Sequence, residues 1–267
     1  MKKVYFLLIL LYIFPSCKQD ETKAVSKMTG EQQLIVDWKE KINAHKDSAI
    51  LRQQFVGILD SLTMYPLAIE QVDSLILKDT LNNELWLTKA RLHENNKDTA
   101  EAIRSYEKSL QIYPSVETQL YLANLFAENR NPKALALCRN VNNMGMERGT
   151  EANCNFIAGI YFARTRNNTK AIDLFDKAIN ENYTLMEAYM EKGFIYFESK
   201  NYLQSLKTFA IAIKINNQYA DAYYWSAKCN EAMGNKEEAI LNYKRALGLD
   251  KQMIEAKEAI ERMENEK

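Results

Sequence analysis

Met186–Met253 reads MEAYMEKGFIYFESKNYLQSLKTFAIAIKINNQY and then ADAYYWSAKCNEAMGNKEEAILNYKRALGLDKQM. Each half is 34 residues long, and the two align without a gap. Gly193 lies over Ala227, Ser205 over Ala239, Phe209 over Tyr243 and Ala212 over Ala246. A fixed period of this length marks a solenoid, in which each helix pair buries its apolar face only against its neighbours.

Stepping back by the same interval finds further copies. Ala152–Leu185 keeps the register through Gly159, Phe162, Ala171, Phe175 and Ala178. Asn83–Val116 carries Trp86, Ala90, Ala102, Tyr106 and a closing Pro114, and Ala49–Asn82 is a weaker copy with Leu59, Ala68, Val72 and Leu75. Glu117–Glu151 is degenerate. Its turn at Asn129–Asn131 is about one residue short, and its tail, Asn142–Thr150, is irregular and holds two glycines, the expected place for a bend.

Close crossing of the two helices in a unit requires small side chains where they meet. The eighth place is accordingly Ala90, Ala123, Gly159, Gly193 or Ala227, and the twentieth is Ala68, Ala102, Ala134, Ala171, Ser205 or Ala239. Larger apolar residues fill the eleventh and twenty-fourth places. Asn96, Asn131, Asn167, Asn201 and Gly234 stand where the chain is expected to leave the first helix.

Over about Ala49–Met253 this pattern resembles the tetratricopeptide repeat. The resemblance implies an all-α, right-handed solenoid of about six helix pairs, at 49–82, 83–116, 117–151, 152–185, 186–219 and 220–253. Members of that family usually end each unit with proline; here Asn217 and Lys251 occupy places equivalent to Pro114. Residues 29–48, with Leu34, Ile35, Trp38 and Ile42 at helical spacing behind Thr29, are expected to form an N-terminal capping helix, and 254–267 a C-terminal one.

Residues 1–16 read as a leader. Lys2 and Lys3 precede the apolar run Val4–Phe14, which is short for a bilayer span and suited to a signal peptide. Pro15-Ser16-Cys17 resembles a bacterial lipobox, which implies cleavage before Cys17 and lipid on its thiol; Phe14 and Pro15 depart from the usual box, and an ordinary cleaved signal is the alternative. Lys18-Gln19-Asp20-Glu21 is either an export signal of the kind found on Bacteroidetes surface lipoproteins or part of a plain polar tether over 17–28. The expected location is the cell envelope, at the outer membrane, on either its periplasmic or its surface side.

Charge is balanced, with 35 basic and 35 acidic residues, which speaks against a nucleic-acid partner. No catalytic motif, cofactor loop or metal-ligand cluster is visible, so neither an enzyme nor a cofactor is expected. His93 begins a zinc-protease-like pattern, but Lys97 stands where a second histidine would be needed, and His93 occupies a packing place. Cys138, Cys154 and Cys229 fall at apolar helical places and read as buried thiols, with a Cys138–Cys154 disulfide as the alternative.

The remaining signal is the inner surface. The second, fifth, ninth, twelfth and thirteenth places of each first helix share one face. In the C-terminal half they give Phe156, Ile160, Met190, Phe194, Phe197 and Tyr224, edged by Arg164 and Lys228. Such a strip fits a protein or peptide partner held in a groove, or else packing between neighbouring helices or under the C-terminal cap. The function expected is a membrane-anchored scaffold. A glycan-binding lipoprotein of a nutrient-uptake system is the alternative.

Overall fold

The computed structural model describes residues 29–144 and 148–265. The expected leader at 1–16, the expected lipid-attachment residue Cys17, the expected tether at 17–28 and part of the irregular tail lie outside the described residues. Among the described residues there are fourteen α-helices and no strand. None of these helices is long and apolar enough to cross a membrane.

The chain divides into two compact units between Leu51 and Arg52. In the first, α1 (Gly30–Ala44) is opened by Thr29, whose side chain accepts from the Gln32 backbone N–H while Gln32 reaches back to the Thr29 N–H. This reciprocal capping box satisfies two donors that a helix start otherwise leaves open.

The second unit holds the repeats. From Arg52 on, α2 (Ala49–Ser61) is linked to α3 (Tyr65–Ile76) by the Arg52–Gln71 hydrogen bond at 2.8 Å, and α4 (Asn83–Asn95) pairs with α5 (Thr99–Ile112) and α6 (Val116–Glu128) with α7 (Lys133–Asn143). They continue as α8 (Arg148–Arg164) with α9 (Asn168–Glu181), α10 (Met186–Glu198) with α11 (Tyr202–Ile215), and α12 (Ala220–Ala232) with α13 (Lys236–Leu249), and α14 (Ile254–Asn265) packs on α13. From α3 onward each helix touches the next in sequence, and α8 also touches α6 and α10. This is the nearest-neighbour packing of a solenoid.

The packing places behave as the repeat requires. Ala90, Ala123 and Ala227 have no exposure, and Gly159 and Gly193 are buried. A methyl group on Gly159 would come within 2.5 Å of the Phe175 ring, and one on Gly193 would overlap the Phe209 ring. Glycine is therefore demanded where phenylalanine stands at the twenty-fourth place. In two of the three units with alanine there, the twenty-fourth place is Tyr106 or Tyr243, and each of these donates its hydroxyl to a glutamate of its own unit; in the third unit it is Cys138. Tyr106 reaches Glu94 at 2.7 Å and Tyr243 reaches Glu231 at 2.5 Å. In the two glycine units the place of that glutamate is taken by Ala163 and Phe197.

The turn within each pair repeats six times. The backbone N–H groups of Met64, Asp98, Asn131, Asn167, Asn201 and Asn235 each donate to the carbonyl five residues earlier, at 2.8–2.9 Å. The residue before each donor is left-handed: Thr63, Lys97, Arg130, Arg166, Lys200 and Gly234, with φ between 56° and 81°. This is a Schellman closure, which satisfies the last carbonyls of the first helix. The asparagines expected where the chain leaves the first helix lie beside the left-handed position rather than in it. Asn167 and Asn201 instead start the second helix, accepting from the backbone N–H groups of Lys170 and Gln204. Asn96 is a C-cap with φ −76°, and only Gly234 fills the left-handed position as expected. The third unit's turn is not shortened as its sequence suggests: residues 129–132 separate α6 from α7, where three residues separate the helices of each other pair, and Arg130 falls one place early because α6 already starts at Val116. The irregular tail is smaller than its sequence suggests. Asn142 and Asn143 complete α7, and α8 begins at Arg148, with Glu151 in its first turn complementing the helix dipole.

Cys138, Cys154 and Cys229 are buried free thiols. The Cys154 thiol donates to the Cys138 carbonyl at 3.5 Å. Its contact with Cys154, reinforced by burial, pushes the Cys138 thiol well above its ordinary range, as suits packing rather than reactivity.

Candidate partner-binding groove

The first helices of units three to six, α6, α8, α10 and α12, present side chains to a trough that contains two adjoining cavities of about 480 and 490 Å³. The first is floored by Phe156, Ile160, Met190, Phe194 and Trp225, with Tyr219, Glu187 and Asp221 around it. The second is lined by Phe194, Phe197 and Trp225 together with Arg130, Arg164 and Arg166. Glu191, Phe194 and Trp225 belong to both.

Trp225 organises the aromatic floor. Its ring lies 4.7 Å from Phe194, 5.4 Å from Phe197 and 5.7 Å from Tyr224, all edge-on. Phe194 also leans on Phe209, and Phe197 on Tyr202. Edge-to-face contacts of this kind fix ring orientation and add about 0.5–1.5 kcal/mol per pair beyond area burial. The floor is therefore a built surface, half-buried and held rigid from behind.

Arg164 ties the walls together. It donates from Nε and Nη2 to both Glu128 oxygens at 2.8 and 3.1 Å, and from Nη1 and Nη2 to both Glu191 oxygens at 2.9 and 3.0 Å. One guanidinium thus clasps α6, α8 and α10 through two forks. Glu191 holds the Arg164 charge on above its ordinary range against the opposing effect of burial, and Glu128 adds to this.

Two stretches of the chain, 84–116 and 220–253, match a family model described as "Tetratricopeptide repeat". Those stretches are tetratricopeptide repeats. No curated protein matches the sequence. Solved structures share the fold at low identity. A tetratricopeptide repeat protein from Parabacteroides merdae superposes with a TM-score of 0.68 at 16% identity, covering 86% of this chain and 91% of its own. PilW, described as a widely conserved type IV pilus biogenesis factor, gives 0.62 at 16%, covering 80% and 97%. Yeast Tom70 gives 0.60 at 13%, covering 88% and 58%.

The helical solenoid places the sequence-predicted groove residues unevenly. Phe156, Ile160, Arg164, Met190, Phe194 and Phe197 all line the trough. Ile160 and Met190 are only 1% and 5% exposed, so they are floor rather than contact surface. Arg164 is spent on Glu128 and Glu191. Tyr224 lines neither cavity. It packs with Tyr243 and the α14 cluster instead, 5.6 Å from the Tyr243 ring. Lys228 also lines neither. Sequence reasoning missed Trp225 and Glu191, which both occupy the sixth place. That place lies one helical turn before the ninth, and an aromatic residue there was the available signal.

The amino-terminal half holds a smaller cavity of about 300 Å³, with Gln53, Asp60, Glu84 and Arg91 among its lining residues. His93 is buried at 8% exposure, with neither ring nitrogen hydrogen-bonded and Nδ1 3.6 Å from Asp98. It fills the eleventh place as Phe162 and Tyr196 do elsewhere. Among the described residues no group of three or more potential metal ligands occurs.

Proposed function

We propose that this protein is a non-catalytic scaffold that holds a protein or peptide partner in the trough between α6, α8, α10 and α12. The observation that carries the reading is the open aromatic floor of Phe194 and Trp225, rigid from behind and accessible in front. A preorganised apolar surface with a polar rim lowers the ordering cost that binding otherwise incurs.

The test is site-specific photo-cross-linking in the producing cells. A benzoylphenylalanine in place of Glu187 or Arg166, both exposed at the rim, is expected to capture one discrete protein. The same group at Lys207, exposed on α11 and lining neither cavity, should not. Equal capture from all three positions, or from none, sinks the groove assignment.

The scaffold is anchored, in this reading, through lipid on Cys17 and faces the cell envelope. The apolar run Val4–Phe14 and the Ser16-Cys17 junction support it. Two or more acyl chains on one residue give stable membrane attachment, because each buried methylene adds about 0.8 kcal/mol. Cys17→Ser is expected to abolish incorporation of labelled fatty acid and move the protein from the membrane to the soluble fraction. Unchanged fractionation would remove the anchor from the proposal.

A further inference from the structure

The charges around the first cavity are one-sided. Four carboxylates line it, those of Glu128, Glu187, Glu191 and Asp221, and no lysine or arginine does. Arg164 lines only the neighbouring cavity, yet it neutralises two of the four, Glu128 and Glu191. Glu187 and Asp221 are left exposed, with no lysine, arginine or histidine within ion-pair distance among the described residues. Both act on the same side chain between them, since each adds to the burial that pushes the Tyr219 hydroxyl upward in pKa. Both line the same cavity.

Helix dipoles favour carboxylates at these first-turn places, and this accounts for their presence. It does not neutralise them toward a ligand. Beneath them lies an apolar floor of Phe156, Met190, Phe194 and Trp225, and Tyr219 closes the side. A floor of this kind accepts the methylene stem of a long cationic side chain, while the rim receives its charged head. Ring faces add cation–π attraction. A carboxylate-bearing segment would instead meet uncompensated like charge, at a cost that suppresses wrong partners.

We infer that the partner segment seated in this first cavity is basic: an extended peptide that places a lysine or arginine against Glu187 and Asp221 and an adjacent aliphatic or aromatic residue on Phe194 and Trp225. This rests on the groove reading above and names the chemistry of its occupant.

The test is selection of a random twelve-residue peptide library on the full-length chain. The retained pool is expected to be enriched in lysine and arginine next to an apolar residue. Binding of a synthetic consensus peptide should weaken about tenfold in Glu187→Gln/Asp221→Asn and fall further with added salt. The charge-reversed Glu187→Lys/Asp221→Lys, checked for intact helical circular dichroism, should select an acidic pool instead. A pool without charge bias, or with acidic bias on the unaltered chain, overturns the inference. If binding of that pool is nevertheless lost in Trp225→Ala, the groove reading survives its loss. Peptides that bind equally to Trp225→Ala, or no enrichment at all, overturn both.

Discussion

At Thr63 a β-branched residue sits at φ 56° in the turn between α2 and α3. The left-handed region costs a non-glycine residue about 1–2 kcal/mol, and branching at Cβ makes it worse. The strain persists because the Schellman bond, Met64 N–H to the Leu59 carbonyl at 2.8 Å, requires that geometry. Thr63→Gly relieves it, at the expense of some added freedom in the unfolded chain. A net gain of roughly 0.5–1 kcal/mol is expected, read as a higher midpoint in urea. The converse change, Gly234→Ala, meets no neighbouring atom within 4 Å but imposes the same strain at φ 81°, and should cost about as much. No shift in either variant would show that the turn geometry is not what holds these hairpins. This position was poorly legible in the sequence. Asparagine was the expected signal, yet Lys97, Arg130, Arg166 and Lys200 occupy it, because local hydrogen bonding outweighs intrinsic preference there. The asparagine after it records helix starting rather than helix ending.

Between elements, the sequence was more informative than it first seems. The small eighth and twentieth places announce close helix crossing, and burial at both is complete or nearly so. The coupling between the eighth, twelfth and twenty-fourth places was also present. Glycine goes with phenylalanine, and in the second and sixth units alanine goes with tyrosine plus glutamate. Its meaning needed the distances. A methyl group at the glycine places would collide with the phenylalanine ring, whereas each tyrosine sends its hydroxyl to the glutamate of its own unit. In the sixth unit that carboxylate, Glu231, also accepts from Arg262 of α14 at 2.7 Å. Burial pushes Glu231 upward, but Tyr243 and Arg262 outweigh it, and the carboxyl is held below its ordinary value. A group with a lowered folded-state pKa contributes stability above its unfolded value, about 4.3 for glutamate, and loses that contribution as pH falls through the lower folded value. The wild-type chain should therefore exceed Glu231→Gln in stability near pH 7. Because Glu231 is only partly buried, the margin is about 1 kcal/mol or less, and it should close as pH drops through roughly 4 and below. Urea midpoints at several pH values measure this directly. A margin that stays constant with pH would mean the effect is packing rather than charge.

For the stacked repeats as a whole, stability is approximately the sum of each unit's own term and the interfaces between neighbours. A weak interface would let the stack melt in sections. The third unit is the degenerate one by sequence, with its irregular tail, and the clasp at Arg164 sits on its far side. The guanidinium joins Glu128 of the third unit and Glu191 of the fifth to its own helix in the fourth. Sequence patterning found Arg164 but assigned it to a partner. The thirteenth place does face inward, and nothing in one chain's spacing reveals that glutamates at the thirteenth place before it and the sixth place after it converge on it. Glu191 is 17% exposed and Glu128 41%, so the two forks are unequal. The Glu191 pair should carry most of the coupling, since an exposed pair contributes less than about 1 kcal/mol. Arg164→Met leaves two neighbouring carboxylates without a cation, and a loss of about 1–3 kcal/mol is expected. It should appear as a lower urea midpoint and also as a shallower transition, because the units on either side no longer melt together. Glu191→Gln in the same background should recover part of the loss by removing the repulsion, whereas Glu128→Gln should recover less. If Arg164→Met unfolds as steeply and at the same midpoint as the unaltered chain, the clasp is ornamental, and the cooperativity of units three to five resides in their apolar contacts alone.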